Sequence, residues 1–427
     1  MQMQLKNIAL AFLIATALAG CNDTLDSVDV SKIKNKVEHP LPSRILSEMK
    51  KKDMPRTSPI MVRIFKEEGV LEVWKAKANN RFDMIADYEI CAWSGKLGPK
   101  QKEGDRQAPE GFYNLTRAHL NPNSKYFLAI NTGYPNRYDQ ANGHTGSNLM
   151  IHGACSSSGC YSMTDAQVLE IYAFARDAFK GGQSAVQLQA FPFRMTAENM
   201  ARHRSSEHYD FWKMLKVGYD NFEVTKRPPT VNVCERKYVF NQQVEGNQQL
   251  NAAAACPPMS TPSTLNIALA SYQKSYDLAY AKAVRKLDGM VWYEPTEAER
   301  KAIVADKRKG RDLAYAPTGS SLEAGKLMTQ EDFQALMAKK STPKGKTAGT
   351  VLASRPSQPS TATGQMIQDR QPPQSDVAQT AQTPEQTTAA NAVSTTVPIP
   401  DQNPLAYAAP ALSESKKKPF WKFWTRD

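Results

Sequence analysis

The spacing of apolar residues changes near residue 160, and this change limits the chain to folds that combine a sheet with helices. Before that point apolar and polar residues alternate, as over 82–91, which indicates strands with one buried face. After it, Val168, Ile171 and Tyr172 recur at helical spacing. The spacing therefore predicts mainly strands up to about residue 160 and helices after it.

The same periodicities give the bounds of individual elements. Two β-prone runs at 61–66 and 70–74 flank Glu67-Glu68-Gly69, which predicts a hairpin. Thr164 and Gln167 form a capping-box pattern at the start of the first long helix, and a Gly-Gly pair ends it. Further strands are expected at 82–91, 112–116, 126–131, 148–152, 185–191 and 231–240, and further helices at 196–204, 209–219 and 265–287.

The start of the chain carries an export pattern. A short apolar run, 8–18, is too short to span a bilayer with ease, and Ala19-Gly20 stands directly before Cys21. This pattern resembles a bacterial lipoprotein signal, with ordinary signal cleavage nearby as the alternative. We predict a signal peptide over 1–20 and a lipid on Cys21 that anchors the protein at the periplasmic face of the envelope. Asn22 favours the outer membrane by the sorting rule for such lipoproteins.

Two segments are predicted to lack a fold of their own. Residues 21–57 are polar and carry Lys, Pro and Ser, which is typical of a lipid-anchored tether. Residues 341–406 contain no Phe, Trp, Tyr or Cys and are rich in Pro, Gln, Ser and Thr, so 341–427 is predicted to be a disordered tail. The tail ends in a basic-aromatic motif, 416–424, which suits an anionic membrane or a partner protein, or has no role.

Residues 150–165 concentrate the groups that can perform chemistry. A predicted strand ends at His152, a loop of small residues follows, and Cys160 precedes the helix that starts at Thr164. A helix N-terminus favours a thiolate, and a nearby imidazole can move the thiol proton. Gly159 leaves main-chain N–H groups accessible to an oxyanion. Cys160 is therefore a candidate nucleophile and His152 its candidate base.

The residues alone leave other interpretations of this segment open. Cys160 could be a buried structural thiol, although a Ser/Gly loop is a poor apolar site. Cys155 and Cys160 could form a disulfide that acts as a redox switch. His152, Cys155 and Cys160 could bind zinc, although no fourth ligand is evident. His144 is a secondary polar candidate, for which a plain loop position is favoured.

Cysteine usage limits the covalent links. With Cys21 assigned to lipid and Cys160 to chemistry, four of the six cysteines remain, and they allow three pairings in an oxidising compartment. We favour a disulfide between Cys234 and Cys256, because the segment between them is polar and has the composition of a loop.

These motifs resemble the L,D-transpeptidase (YkuD-type) catalytic domain and, within it, the YafK-like murein branch. The family pattern of His-Gly followed by Ser-x-Gly-Cys stands here at 152–153 and 157–160. The resemblance runs from about residue 58 to residue 240. Many members of the family have a histidine where Ser158 stands, but the YafK-like branch does not. Further matches lie at 104–107, 109–113, 143–147 and 193–196.

The resemblance implies an α+β fold, a β-rich YkuD-like mixed sheet or sandwich with helices appended after Cys160. It also places family roles on residues of this chain. It implies Cys160 as nucleophile, His152 as proton donor and acceptor, and the Gly153 carbonyl as the group that orients the imidazole. It implies no metal and no cofactor. It implies main-chain N–H groups around Gly159, Cys160 and Tyr161 as oxyanion donors, and contacts to the oxyanion or substrate at Ser158, Gly159 and Tyr161.

The implied reaction attacks the meso-diaminopimelate–D-Ala bond of a peptidoglycan stem peptide through a thioester. The acceptor would be another stem peptide, for cross-linking, or an envelope lipoprotein or outer-membrane protein. One alternative is hydrolysis, as an L,D-carboxypeptidase or an amidase that releases wall-linked lipoprotein, and another is an inactive peptidoglycan-binding lipoprotein. The net charge of +12 suits an anionic wall, and export argues against nucleic acid.

The predicted organisation between tether and tail has three parts. Residues 58–192 form the catalytic core of the YkuD-like fold. Residues 193–300 form a helical and extended extension of that core, and residues 301–340 form a helical connector.

Overall fold

The computed structural model describes residues 29–308, apart from 156, 158 and 247, and residues 325–341. The predicted signal peptide, Cys21 and all of the predicted tail except residue 341 lie outside the described residues. In the part of the chain that the model describes, no helix combines the length and the apolar character needed to cross a bilayer.

Strands dominate the described chain up to residue 162 and most of the helices follow, as is typical of an α+β fold. The helices are α1 Ser43–Lys51, α2 Arg137–Ala141, α3 Asp165–Lys180, α4 Ala197–Arg202, α5 Tyr209–Thr225, α6 Ser263–Lys286, α7 Glu297–Arg308 and α8 Gln330–Ser341. The strands are β1 Ile60–Phe65, β2 Val70–Ala76, β3 Phe82–Glu89, β4 Ala92–Trp93, β5 Gly111–Leu115, β6 Leu120–Asn121, β7 Ala129–Asn131, β8 Met150–His152, β9 Tyr161–Ser162, β10 Val186–Phe191, β11 Val231–Cys234, β12 Lys237–Phe240, β13 Gln243–Val244, β14 Met259–Ser260, β15 Met290–Tyr293 and β16 Lys326–Thr329.

Two mixed five-stranded sheets form the predicted catalytic core. The first has the order β3-β2-β1-β10-β5, with β1 and β10 parallel and the other neighbours antiparallel. Its β1–β2 hairpin confirms the prediction, and Gly69 supplies the left-handed turn residue with φ of 66°. The second has the order β4-β9-β8-β7-β6, with β8 and β9 parallel. That parallel pair brings the two segments with candidate catalytic residues side by side.

Helix α3 lies in the core that the two sheets share. It contacts β1 of the first sheet and β7 and β8 of the second, and every residue from Ala166 to Phe179 is buried. Thr164 and Gln167 form the predicted capping box, with each side chain bonded to the other's main chain. The helix ends at Gly181, where a Cβ would lie 2.0 Å from the Thr57 carbonyl oxygen.

The segment before β1 is packed on the domain, so the predicted tether is wrong for residues 41–54. Helix α1 buries Ile45 and Met49, and Leu41 and Met54 flank it in the same core. These side chains recur about every four residues, which makes one face of the helix apolar. The polar composition of 21–57 hides this spacing, because charged residues cover the other face of the helix.

Residues of this N-terminal arm, 36–57, also pair the polar groups of α3. Arg56 Nε lies 3.0 Å from Asp177 Oδ2, and Arg44 forms an ion pair with Glu170. Arg176 donates to the carbonyl oxygens of Val37 and His39, each at 2.7 Å. The arm therefore explains how α3 can be buried on all sides although its sequence is only partly apolar.

In the extension after β10, helix α5 and the β11–β12 hairpin pack against the first sheet, with ring contacts such as Phe222 with Trp74 and Phe240 with Phe112. Helix α6 packs on α4 and α5. Helix α5 continues to Thr225, six residues beyond the predicted end, and β11 and β12 form a hairpin within the predicted extended run. A disulfide joins Cys234 and Cys256. The predicted helical connector differs from the structure, because it also contains β16, which pairs antiparallel with β15.

Replacing Ile45 with alanine tests the packing of the arm. Ile45 is 4% exposed, so the free energy of unfolding is expected to fall by about 2–4 kcal/mol through lost burial and the cavity left behind. Urea unfolding followed by circular dichroism measures this. Ile267→Ala is the matched control, since Ile267 is 72% exposed, and an equal effect of the two changes would contradict the packing.

Candidate active site

His152 ends β8 with its imidazole fixed in one tautomer. Its Nδ1 lies 2.6 Å from the Gly153 carbonyl oxygen. A carbonyl only accepts hydrogen bonds, so Nδ1 carries the proton and Nε2 keeps a free lone pair. The ring is 3% exposed and packs against Tyr126 with ring centroids 4.6 Å apart. Burial lowers the pKa of His152, partly offset by the Gly153 contact and the charge of Asp165, so the imidazole is neutral at pH 7.

The main chain turns sharply after His152, and residue types at three positions allow the turn. A Cβ at Gly153 would lie 2.3 Å from Asp165 Oδ1 and 2.8 Å from the Tyr126 carbonyl oxygen. Ala154 and Cys155 have φ of 65° and 42°, which disfavours most side chains. Asp165, the first residue of α3, accepts a hydrogen bond from the Ala154 N–H at 2.9 Å. Helix α3 thus holds the carbonyl that orients the imidazole.

A disulfide between Cys91 and Cys155 fastens this turn to the start of β4. The Cys91 N–H also donates to the Ser162 carbonyl oxygen at 2.9 Å, and the Cys155 N–H donates to the Met163 carbonyl oxygen at 3.2 Å. The hypothesis that Cys155 pairs with Cys160 is therefore wrong. The zinc hypothesis fails too, because Cys155 is bonded elsewhere and no metal-binding group of His, Cys, Asp and Glu occurs within the described ranges.

Cys160 stands directly before β9 as the one free thiol among the described cysteines. Its half-buried Sγ lies 3.4 Å from the Met150 main-chain nitrogen and 3.8 Å from the Asn148 carbonyl oxygen. Met150 precedes His152 by two residues, roughly 7 Å along an extended strand. The register pairs His152 with Ser162, so Cys160 lies level with Met150, two residues from the position opposite His152.

No hydrogen bond joins the Cys160 thiol to His152 within the residues that the model describes. Burial raises the pKa of the Cys160 thiol, while the Met150 N–H and the positive charge of Lys100 offset part of the rise. The expectation that the helix N-terminus favours a thiolate is therefore wrong. Strand β9 separates Cys160 from α3, and the dipole effect fades within a turn of the helix. Burial thus shifts the pKa of both groups toward their neutral forms, upward for the thiol and downward for the imidazole.

The implied oxyanion residues take different positions. The Gly159 N–H already donates to the Ser94 hydroxyl oxygen, and Gly159 has φ of 109°. Tyr161 is fully buried and its hydroxyl donates to the Pro109 carbonyl oxygen at 2.6 Å, so its side chain supports the fold instead of contacting substrate. Ser158 lies outside the described residues. The Cys160 N–H has no partner within the described part and is the available main-chain donor.

The structure adds residues that sequence patterns do not single out. Ser94 holds the cysteine loop, Lys100 supplies positive charge to the thiol, and Asp165 holds the turn after His152. Of these three residues, only Asp165 has a feature that sequence analysis can recognise, since it is an acidic residue directly after the helix N-cap. His144 lies in the loop position favoured above, with Nδ1 3.2 Å from Asp139 Oδ1.

Comparisons with known proteins show the family of the chain. A family model for the YkuD L,D-transpeptidase catalytic domain matches residues 62–185. YafK of Escherichia coli (strain K12), whose name assigns it to the L,D-transpeptidases, is 49% identical over 185 residues, which are 43% of this chain and 75% of YafK. The YafK of Escherichia coli O157:H7 matches to the same extent. The fold and the site thus define an α+β protein with a YkuD-type catalytic domain. The chain belongs to the L,D-transpeptidase family.

Solved structures give weaker similarities. A mutant of Pgp2, the helical cell shape determining protein of Campylobacter jejuni, is 21% identical and covers 45% of this chain and 68% of its own, with a TM-score of 0.27. Bd1075 of Bdellovibrio bacteriovorus is 18% identical and covers 40% and 61%, with a TM-score of 0.23. Superpositions at these scores carry no argument about this chain.

Alkylation of Cys160 tests the electrostatics of the site. Because burial raises its pKa, the rate of reaction with iodoacetamide is expected to rise with pH through a midpoint above the usual thiol value of about 8.5. Mass spectrometry of the labelled peptide measures the rate at each pH. Lys100→Met should move the midpoint further up. A midpoint below the usual value would show a stabilised thiolate and contradict this description.

The two disulfides offer a matched pair of variants. Replacing Cys91 and Cys155 with serine is expected to lower turnover at least tenfold, because the turn that holds the His152 imidazole loses its covalent link to β4. Replacing Cys234 and Cys256 removes a disulfide far along the chain and should lower only stability. Turnover and thermal unfolding are measured for both variants. Equal turnover in the two would show that the first disulfide does not position the site.

Proposed function

We propose that the chain is a peptidoglycan L,D-transpeptidase in which Cys160 forms a thioester and His152 moves protons. The substrate bond is the amide between the L-centre of meso-diaminopimelate and the terminal D-Ala of a stem peptide. This proposal rests on the neutral imidazole of His152, which is held in one tautomer and has a free lone pair on Nε2. His152 ends the strand next to the segment that carries the Cys160 thiol. A family assignment at 49% identity over the catalytic region supports the same chemistry.

The first half-reaction transfers the acyl group to sulfur. His152 Nε2 accepts the thiol proton as the sulfur attacks the amide carbonyl carbon, so the C–S bond forms while the C=O electrons move to oxygen. The Cys160 N–H faces the developing oxyanion as a main-chain donor. When the tetrahedral intermediate collapses, the C–N bond breaks and the imidazolium returns its proton to the leaving nitrogen. D-Ala departs and a thioester remains on Cys160.

The second half-reaction resolves the thioester. An acceptor amine attacks the thioester carbonyl, His152 takes its extra proton, and the thiolate leaves and is reprotonated. The acceptor is a second stem peptide, for cross-linking, or an amine of an envelope protein. Water in the same role gives a carboxylate and makes the enzyme an L,D-carboxypeptidase or an amidase that detaches wall-linked lipoprotein. Every proton is carried by His152, so neither half-reaction needs a cofactor.

The proposal includes a place in the cell. A lipid on Cys21 would hold the catalytic domain at the periplasmic face of the envelope, with the outer membrane favoured by Asn22. The basic-aromatic motif at 416–424 is proposed as a second membrane contact. The two described disulfides support an oxidising compartment.

Product analysis tests the function. The full chain is incubated with stem tetrapeptide and the products are identified by mass spectrometry. Dimeric peptides are expected for transfer, tripeptide alone would show hydrolysis, and unchanged substrate would leave only a binding role. Cys160→Ala should abolish both products. Turnover retained in that variant would overturn the assignment of the nucleophile.

The variant His152→Gln, measured in the same assay, tests the role of His152 as a base separately from its contribution to the fold. An amide side chain keeps similar size but cannot accept and return a proton, so turnover should fall at least a hundredfold while thermal unfolding stays near that of the unchanged chain.

A further inference from the structure

The hydroxyl of Ser94 joins two loops near Cys160. One is the cysteine loop, 153–160, and the other is the connection 94–110 between β4 and β5. Ser94 Oγ donates to the Arg106 carbonyl oxygen at 2.8 Å and accepts the Gly159 N–H. A hydroxyl has one proton, so the bond to Arg106 uses it and leaves only lone pairs for Gly159. Toward the cysteine loop, Ser94 is therefore an acceptor.

The connection 94–110 is anchored in the protein core, so the Ser94 hydroxyl has a fixed place. Lys66 Nζ donates to the Ala108 carbonyl oxygen at 3.1 Å and pairs with Glu110 Oε1 at 2.9 Å. The side chains of Lys66 and Glu110 are fully buried. The Ala108 N–H donates to the Ser94 carbonyl oxygen at 3.0 Å. Buried polar networks with satisfied members rigidify the main chain around them, so the connection gives the cysteine loop a firm support.

The peptide unit that joins Gly159 to Cys160 lies between two hydrogen bonds. On one side Ser94 holds the Gly159 N–H, and on the other side the Ser157 hydroxyl donates to the Cys160 carbonyl oxygen at 2.6 Å. The unit itself contains the Cys160 N–H, the donor proposed above for the oxyanion. Gly159 has φ of 109°, in a region that glycine enters freely, so the backbone preference of Gly159 does not fix this N–H. The bonds on either side fix it instead.

We infer that Ser94 is a positioning residue that aims the Cys160 N–H at the oxyanion. The inference rests on the proposed function, because an oxyanion forms there only if the thiol attacks a carbonyl carbon. Ser94 acts through Gly159 and needs no contact with the substrate. A main-chain donor lowers the barrier only when it points at the place that the oxygen takes in the tetrahedral intermediate. Loss of the Ser94 hydroxyl should therefore slow acyl transfer and leave substrate binding unchanged.

Two reactions of the thiol separate this role from general damage to the site. With p-nitrophenyl acetate, the sulfur bonds to the acetyl carbon through an oxyanion, the thiol proton passes to His152 and p-nitrophenolate leaves. With iodoacetamide, the same sulfur bonds to a saturated carbon and iodide leaves, so no oxyanion forms. Both reactions need the thiol to lose its proton. The ratio of the two rates therefore reports the oxyanion donor.

The variant Ser94→Ala should acetylate about tenfold more slowly than the unchanged chain and alkylate at the same rate. Both rates are measured on the full chain by mass spectrometry of the peptide that contains Cys160. The conservative variant Ser94→Thr keeps the hydroxyl and should restore most of the acetylation rate. Ser271→Ala, at an exposed position of α6, is the matched control and should change neither rate.

Four results would overturn the inference. An equal fall of both rates in Ser94→Ala would show general damage to the site. An unchanged or faster acetylation would show that the donor does not depend on the Ser94 hydroxyl. Slow acetylation in Ser94→Thr would show that the hydroxyl is not the cause. The fourth is an unchanged chain that p-nitrophenyl acetate does not acetylate at Cys160.

Steady-state kinetics with stem tetrapeptide extend the test to the proposed reaction. In Ser94→Ala, kcat should fall about tenfold while KM stays unchanged, because the donor acts on the intermediate and not on the bound substrate. A higher KM with unchanged kcat would contradict the inference. If the unchanged chain is acetylated at Cys160 but turns over no tetrapeptide, the proposed function fails, and the ratio of the two thiol reactions still decides the role of Ser94.

Discussion

The hydrogen bond from His152 Nδ1–H to the Gly153 carbonyl oxygen is the interaction on which the site depends. It fixes the tautomer, and burial keeps the ring neutral, so Nε2 is a base before any ligand arrives. The bond exists only because the chain reverses within one residue of the strand end. Gly153 without a Cβ, Asp165 at the start of α3 and the disulfide at Cys155 all serve that reversal. The geometry of one carbonyl therefore depends on a sheet, a helix and a covalent link at once.

The N-terminal arm belongs to the same folding unit as the site. Helix α3 carries Glu170, Arg176 and Asp177 in buried positions, and the arm supplies partners for all three. These contacts add to the ion pair between Arg176 and Asp177 and to the hydrogen bond from the Tyr88 hydroxyl to Glu170. Because Asp165 at the other end of α3 holds the turn after His152, packing of the arm reaches the imidazole through one rigid helix.

Features set by local sequence were predictable, and features set by distant partners were not. The hairpin at Gly69 and the capping box at Thr164 depend on residues within a few positions of each other, and both match the structure. The Cys91–Cys155 pair spans 64 residues of chain, so its selection depends on the pairing of β4 with β9. The shift of the thiol pKa was predicted in the wrong direction because β9, with only two residues, is too short to be recognised as a strand from the sequence. The arm was predicted to be a tether because the prediction relied on its polar composition and not on the helical spacing of its few apolar residues.

The disulfide beside the nucleophile sets an order on maturation. Cys155 is five residues from Cys160 along the chain, whereas Cys91 becomes its neighbour only when β4 has joined β9. In an unfolded chain, the short loop between Cys155 and Cys160 closes far more readily than the long one. Oxidation ahead of folding would therefore consume the reactive sulfur. Correct pairing is therefore favoured when the second sheet assembles before Cys155 is oxidised, and a premature Cys155–Cys160 disulfide has to be exchanged.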